Sequence, residues 1–263
     1  MKERVVYYTD ELNNDFAGMN MKKVKLKENF KYLHKSFIWR VISFVLYRII
    51  ATPVAYLTCK LYYGIKYINR KAMKSCKGGR FLYINHTMVA GDAYNPSIVA
   101  FPHKTHIIVG TEAVSKRGLD VIVPMLGGIP LPGGIKQTAE FKSAIEYLTV
   151  KRGDCVTIYP EAHIWKYYNR IRPFKDVSFR YPAELMMPSF AATVVYRKRR
   201  FCKRPRADVY VDGPFYPDAT LPIKERKKKL RDEIYAVMCK RAEGSDCEYI
   251  KYVKREAGGQ QTP

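Results

Sequence analysis

From Lys71 onward the sequence alternates short apolar runs with longer polar stretches, and this pattern limits the possible folds more than any other feature. Five runs have the length and composition of β-strands: RFLYINH, KTHIIVGTE, DCVTIYPE, SFAATVVYR and ADVYVDGP. Between two of them, Phe141, Ile145 and Leu148 recur at helical spacing, and Gly153 is placed to end that helix. Strands interleaved with helices predict an α/β domain with a mainly parallel central sheet flanked by helices.

The stretch before this domain, residues 35–70, is the most apolar of the chain. On a helix, four polar residues would form one stripe and leave a wide apolar face: Ser36, Arg40, Ser43 and Tyr47. Proline has no backbone donor and crowds the preceding turn, so Pro53 is expected to end or kink the helix. A second helix is expected from about Val54 to Ile68, which gives a helical hairpin.

The uncharged run Ile49–Cys59 is much shorter than the ~20 residues that span a bilayer. We therefore expect the hairpin to lie in one leaflet as a monotopic membrane anchor. The alternative is a hairpin that packs on the protein's own core. Three regions follow: a basic lead-in over 1–34, either a solvated segment or a membrane-surface patch, the hairpin over 35–70, and the α/β domain over 71–263.

The charge balance restricts the partners. The chain has 47 Lys and Arg against 24 Asp and Glu, a net charge of +23. Such a field attracts anionic lipid, nucleic acid, phosphorylated metabolites or acidic carrier proteins. Residues 197–206, RKRRFCKRPR, form a basic loop between two predicted strands. No zinc-finger or RNA-binding motif accompanies it, so anionic lipid or an acidic acyl carrier is expected there and nucleic acid is not.

The six cysteines contain no C-x-x-C pair, and the N-terminus has no apolar segment typical of a secretory signal. No metal site and no disulfide framework is predicted. A reducing setting at the cytoplasmic face of the cell membrane is the expected location.

One histidine and one aspartate stand out at the end of the first predicted strand of the α/β domain. His86 follows the apolar run directly, and Asp92 comes six positions later in NHTMVAGD. Ligands and chemistry usually lie at the carboxyl ends of parallel strands. A histidine oriented there by a carboxylate can take a proton from a hydroxyl and make it a nucleophile. The alternative is that His86 is an ordinary loop histidine. Glu161, which follows another predicted strand, favours a catalytic site at His86.

The order of four motifs resembles the glycerolipid acyltransferase superfamily, the enzymes typified by 1-acyl-glycerol-3-phosphate acyltransferase. In that family NHxxxxD, a GxxFIxR-like motif, FPEGTR and a hydrophobic VP strand follow one another. This chain has NHTMVAGD, GGIPLP, YPEAH and MPSFAATVV in the same order, over about residues 80–195. The ordered set is more specific than any single motif.

The resemblance implies histidine-based transfer of an acyl group from a thioester to a lysophospholipid hydroxyl, above all that of 1-acyl-glycerol-3-phosphate. By position, His86 would be the general base, Asp92 its orienting carboxylate and Glu161 part of the acceptor-binding motif. Asn85 and Gly128 would also adjoin the substrate. No metal or bound cofactor is implied, and acyl-coenzyme A or acyl carrier protein would be the co-substrate.

Two departures from the family motifs affect these assignments. Five residues separate His86 from Asp92, where the family has four, and Gly91 could absorb the extra residue through a positive φ. Ala162 and Ile164 replace the glycine and arginine of FPEGTR. The acceptor phosphate would then need other donors, and the candidates are Lys136, His163, Lys166, Arg170, Arg172 and Arg180.

Two alternatives remain open at this point. The same chemistry could act on another lyso-lipid, since the family's phosphate-binding arginines are replaced. A catalytically inactive basic protein that binds membrane or nucleic acid would also have this composition.

Overall fold

The computed structural model describes residues 4–16, 25–88, 90–200 and 202–255. The strands are β1 Val5–Tyr8, β2 Lys66–Ile68, β3 Arg80–Ile84, β4 Thr105–Val109, β5 Gly128–Pro130, β6 Cys155–Ile158, β7 Ser189–Arg197, β8 Arg206–Phe215 and β9 Lys251–Lys254. The longer helices are Phe37–Tyr62, Gly91–Val99, Leu119–Met125, Ile135–Glu146 with a π-helical continuation Tyr147–Lys151, Arg180–Leu185 and Ile223–Ala242.

Seven strands form the central sheet in the order β2-β8-β7-β3-β6-β4-β5. The five strands from β7 to β5 are mutually parallel. β8 runs antiparallel to β7, and β2 pairs parallel with β8. The predicted α/β class with a mainly parallel sheet is confirmed. All five predicted strands are present. The three-residue strands β2 and β5 were not predicted, nor were β1 and β9, which lie outside this sheet.

Alternate side chains of β3 point into two hydrophobic cores, one on each face of the sheet. Leu82 and Ile84 join the core that includes Ala55 of the Phe37–Tyr62 helix. Phe81 and Tyr83 join the opposite core, which the helices Ile135–Glu146 and Ile223–Ala242 cover. Because helices cover both faces, the central strands are mostly apolar, and all five residues of β3, including Arg80, are buried.

Residues Phe37–Tyr62 form one continuous helix of 26 residues, which we call the apolar helix. The predicted hairpin was wrong, because the helix continues through Pro53 and ends before β2. The preceding segment Val45–Ala51 is π-helical, and the Thr52 amide donates to the Tyr47 carbonyl, five residues back. We attribute the tolerance of Pro53 to this wider turn, which relieves the crowding that proline causes.

Of the polar stripe, Ser43 and Tyr47 face the protein, whereas Ser36 and Arg40 are exposed. Ser43 and Tyr47 are buried, and the Tyr47 hydroxyl accepts a hydrogen bond from the Thr105 amide (3.1 Å). The apolar residues face outward, with Phe37 76% and Leu61 75% exposed. By length and composition the helix could cross a membrane, and only 22% of its most apolar window is buried.

The predicted basic lead-in is only partly described, because residues 17–24 lie outside the described residues. Within it, β1 pairs in parallel with β9, so Val5 lies opposite Lys251. The Phe16 amide donates to the Ile164 carbonyl (3.0 Å). The two ends of the chain therefore meet beside the loop that contains YPEAH.

Candidate active site

His86 and Asp92 form a hydrogen-bonded pair at the carboxyl end of β3. His86 Nδ1 lies 2.7 Å from Asp92 Oδ2. The Asp92 side chain is 3% exposed and the His86 side chain 17%. The same carboxylate oxygen accepts a hydrogen bond from the Met88 amide (2.9 Å), and the Asp92 amide donates to the Met88 carbonyl (2.7 Å). Asp92 thus hydrogen-bonds both to the backbone of the loop after β3, at Met88, and to the imidazole ring of His86.

This contact fixes the roles of the two ring nitrogens. An ionised carboxylate only accepts hydrogen bonds, so Nδ1 of His86 donates and Nε2 keeps its lone pair when the ring is neutral. Burial raises the pKa of Asp92, while the hydrogen bond from His86 opposes that rise. The arrangement can present a basic nitrogen to a hydroxyl group.

The extra residue between His86 and Asp92 is not absorbed as expected. Gly91 does not have a positive φ. It is the first residue of the Gly91–Val99 helix, and Asp92 is the second. A Cβ on Gly91 would lie 2.9 Å from Met88 Cε and 3.0 Å from Met88 Cβ. Glycine is therefore suited to this position by the close approach of Met88, and the predicted positive φ was wrong.

Tyr159, the last residue before Pro160, contacts both members of the pair. Its ring stacks on the His86 imidazole, with 4.3 Å between centroids and 27° between planes. Its hydroxyl donates to the Asp92 carbonyl (2.5 Å). Tyr159 was not among the residues predicted for the site. It occupies the aromatic position of the FPEGTR-like motif, and that position is the sequence signal that could have indicated it.

Glu161 is buried beneath the His86 backbone. Its Oε2 accepts a hydrogen bond from the His86 amide (3.2 Å), and the Trp165 amide donates to the His86 carbonyl (3.1 Å). Arg172 lies against Glu161, with Nη2 3.4 Å from Oε2 and its own amide 3.2 Å from Oε1. Burial raises the pKa of Glu161, and the Arg172 charge opposes that rise. This buried pair holds the loop that carries His86.

The loop that follows β6 has a glycine-like backbone conformation at one of the departures from the family motif. Ala162 has φ +63°, in the left-handed region where glycine is favoured. It stands where FPEGTR has its glycine. The position thus requires the conformation that glycine adopts most readily, even though this chain has alanine.

The structure brings only some of the predicted substrate-binding residues to the pair. Asn85 is buried, and its side chain bonds both backbone groups of Val194 in β7. Glu161 and Arg172 adjoin the His86 backbone as described. The side chain of Arg172 is 0% exposed. As folded, it offers no surface to a phosphate.

The remaining candidates lie in four places, one of them the exposed Lys136 on the Ile135–Glu146 helix. His163 and Lys166 are half-buried and Arg170 is exposed, all on the loop that follows β6. Arg180 is ion-paired with Glu184 (2.5 Å) on the Arg180–Leu185 helix. Gly128, the first residue of β5, lines a cavity next to the apolar helix.

Within the described residues, no group of three or more His, Cys, Asp and Glu side chains could hold a metal ion. His106 binds Asp154 through Nε2 (3.0 Å), and His103 Nδ1 contacts the Gly153 carbonyl (3.2 Å). These two histidines, three positions apart, therefore have separate partners.

We expect Tyr159→Phe to lower kcat for the reaction proposed below about fivefold, with KM nearly unchanged. The variant keeps the stacked ring and loses one hydrogen bond to the Asp92 carbonyl, worth about 1 kcal/mol. Tyr159→Leu also removes the ring stacking and should lower kcat further. Steady-state kinetics of both variants, with urea unfolding as the control for stability, checks this. A kcat for Tyr159→Leu equal to that of the unchanged protein would show that the ring does not position His86.

No family model and no curated protein matches this chain. A solved structure, the 1-acyl-sn-glycerophosphate (LPA) acyltransferase PlsC from Thermotoga maritima, is similar to it with a TM-score of 0.49 and 12% sequence identity. The similarity covers 80% of this chain and 97% of that one. A likeness of this degree does not by itself identify the reaction.

Proposed function

We propose that this protein is an O-acyltransferase that moves a fatty acyl group from an acyl thioester to a hydroxyl of a lysophospholipid. The observation that carries the proposal is the His86 Nδ1 to Asp92 Oδ2 contact of 2.7 Å at the end of β3. It occurs within NHTMVAGD, the first of four motifs that resemble the acyltransferase family in order. The pair supplies the general base that such a transfer needs.

In this scheme Asp92 orients His86, and Nε2 takes the proton of the acceptor hydroxyl. The hydroxyl oxygen forms a bond to the thioester carbonyl carbon, and a tetrahedral oxyanion results. Collapse of that species breaks the carbon–sulfur bond, and the departing thiolate receives the proton from the His86 imidazolium. The products are an ester and a free thiol, of coenzyme A or acyl carrier protein. The scheme uses no bound cofactor.

The apolar helix supports a monotopic association with a membrane. Its outward residues are exposed and apolar, while Ser43 and Tyr47 are bonded to the protein body. Near its other end, Cys59 contacts Asn95 of the Gly91–Val99 helix (3.7 Å). Because the body is attached along the helix, a spanning orientation would draw the body into the bilayer, so we propose that the helix lies in one leaflet.

The basic loop lies at the C-terminal end of this helix. Arg199 donates to the Tyr63 carbonyl (2.6 Å), and the Arg204 guanidinium lies 4.4 Å from the centre of the Tyr62 ring. Positive charge beside an exposed apolar helix suits an anionic bilayer surface. All six cysteines are free, which fits the reducing cytoplasmic side.

We expect Phe37→Ser/Leu61→Ser to weaken binding to phospholipid vesicles about tenfold or more, because each side chain would bury apolar area in the bilayer. A matched control is Val177→Ser/Tyr216→Ser, which alters residues that are 67% and 59% exposed and lie outside the apolar helix. Vesicle co-sedimentation measures both variants. Equal weakening by the two pairs would contradict docking through the apolar helix.

The acceptor is proposed as 1-acyl-glycerol-3-phosphate, with another lyso-lipid as the alternative. A test incubates the full chain with radiolabelled acyl-coenzyme A or acyl carrier protein and a panel of lysolipids, and separates the products. Transfer to the phosphate-bearing acceptor above all others supports the first acceptor, and transfer to a different lysolipid supports the alternative. Vesicle binding without transfer to any acceptor would overturn the enzyme proposal in favour of a binding protein.

A further inference from the structure

The cavity that Gly128 lines is at the opposite end of the parallel strands from His86. Its volume is about 780 Å³, and it lies between the apolar helix and the amino ends of β4 and β5. Lys104 immediately precedes β4, and Gly128 begins β5, and both line it. His86 follows the carboxyl end of β3, which is parallel to β6 and through it to β4. The cavity is therefore separate from the proposed active site.

The wall of this cavity is strongly cationic. Six lysine and arginine side chains line it: Lys35, Arg40, Arg48, Lys104, Lys151 and Arg152. Among the described residues that line it, none is Asp or Glu. Asp154 lies just outside, where it contacts Arg152 Nε (3.0 Å) and His106 Nε2 (3.0 Å). Because Asp154 is shared between Arg152 and His106, a large excess of positive charge remains in the cavity. We call this space the cationic cavity.

Two of the cations are held inside it by neutral partners. Lys104 Nζ donates to Ser43 Oγ (2.8 Å) and to the Met125 carbonyl (3.2 Å). Burial lowers the pKa of Lys104 to about 8, and the nearby arginines act in the same direction. Arg48 donates to the Pro102 carbonyl, and in the described part of the chain its Nη1 is shielded from solvent without a hydrogen-bond partner. Asp154 is one nearby carboxylate for several cations, and removing the remaining positive charge from water without a counter-charge is costly, so the cavity is suited to an anion.

The cavity is also apolar on the side that faces outward. Phe37, Val41 and Phe44 of the apolar helix line it and are 76%, 45% and 59% exposed. The cationic inner wall and the apolar outer side chains match a molecule with a negatively charged head group and a hydrocarbon tail. A metal cation would be repelled by the same charges, whereas phosphate oxygens are good acceptors for Arg and Lys.

We propose that the cationic cavity binds the phosphate headgroup of an anionic membrane phospholipid, whose acyl chains lie along the exposed face of the apolar helix. This lipid is neither the acceptor nor the product, because the cavity lies at the amino ends of the parallel strands, whereas His86 and Asp92 lie at their carboxyl ends. The bound lipid holds the N-terminal half of the helix to the body at the bilayer surface. Binding of this lipid does not require acyl transfer at His86.

The first experiment measures co-sedimentation of the full chain with phosphatidylcholine vesicles, with and without phosphatidylglycerol, an anionic phospholipid that is not a product of the proposed reaction. Arg40→Gln/Lys151→Gln removes two exposed cations of the cavity rim. The control Lys228→Gln/Lys240→Gln removes two exposed cations of the Ile223–Ala242 helix. We expect phosphatidylglycerol to raise the affinity of the rim variant about thirtyfold less than that of the unchanged protein, since the two cations near such a surface contribute about 1 kcal/mol each, and the control to lose much less. Equal losses would overturn the site in favour of a general surface field.

The second experiment separates a lipid headgroup from free phosphate. Trp39 lines the cavity, whereas the other tryptophan, Trp165, is fully buried outside it. A change in tryptophan emission when a ligand is added therefore reports on the cavity. Short-chain soluble phosphatidylglycerol should give a saturable change that Lys104→Met weakens about tenfold. Saturation by inorganic phosphate with no response to the lipid would overturn the lipid assignment. His86→Gln should leave both measurements unchanged, which distinguishes this site from failure of the proposed reaction.

Discussion

His86→Ala will reduce acyl transfer about a thousandfold or more. The substitution removes Nε2, the proton acceptor in the proposed step, and general base catalysis contributes about a hundredfold to ten-thousandfold in rate. The loss should fall on kcat and on kcat/KM equally, because the acceptor hydroxyl is deprotonated only in the transition state. Single-turnover transfer from a radiolabelled thioester to the preferred lysolipid measures it.

A second variant separates chemistry from folding. His86→Ala leaves the buried Asp92 without its imidazole partner, which costs stability, whereas His86→Gln keeps an amide donor for that carboxylate. Both should be equally inactive although their stabilities differ. Asp92→Asn should retain the imidazole but lose about a hundredfold, since an amide can present its donor to Nδ1 and favour the wrong tautomer. Transfer by His86→Gln within tenfold of the unchanged protein would refute the mechanism.

Arg172→Met will lower the free energy of unfolding by about 3–5 kcal/mol. Both side chains of the Arg172–Glu161 pair are 0% exposed, and removing one partner leaves a buried carboxylate without its counter-charge. Because Glu161 also accepts from the His86 amide, transfer activity should fall together with stability. Urea unfolding followed by circular dichroism measures the change, with the slope of the transition compared between variants.

Two further variants make this prediction specific to the buried pair. The double variant Arg172→Met/Glu161→Gln removes both charges and should recover part of the lost stability. Arg180→Met breaks the pair with Glu184, in which Arg180 is 62% exposed, and should cost less than about 1 kcal/mol. A loss for Arg172→Met no larger than that for Arg180→Met would show that the buried pair does not hold the loop.

Most of the fold could be predicted because local patterns coincide with burial. The runs that became β3, β4, β6, β7 and β8 are short, apolar and bounded by polar or turn residues. β3 and β6 are buried on both faces and β7 is nearly so, and their apolar composition marks them directly, whereas β4 and β8 are only partly buried. The three-residue strands β2 and β5 have no such signal, because pairing with a neighbouring strand defines them.

The apolar helix was predicted in composition but not in shape. Proline usually ends a helix, yet Pro53 lies after a π-helical segment that admits it. The direction of the polar stripe was also undecided by the sequence. Ser43 and Tyr47 point inward because Met125 and Thr105 offer backbone partners there, and those lie about 80 and 60 residues away in the chain.

For the candidate site, the sequence by itself determined which residue types could form a base and its orienting acid, since Asp92 is the only carboxylate between Arg80 and Glu112. Tertiary structure alone decided that Tyr159 stacks on His86, that Arg172 is buried against Glu161, and that six cations meet beside the apolar helix. The reason is physical. Composition and periodicity record local preferences, whereas parallel strands bring together side chains from distant segments, and only their packing determines which charges are buried, paired or left facing a cavity.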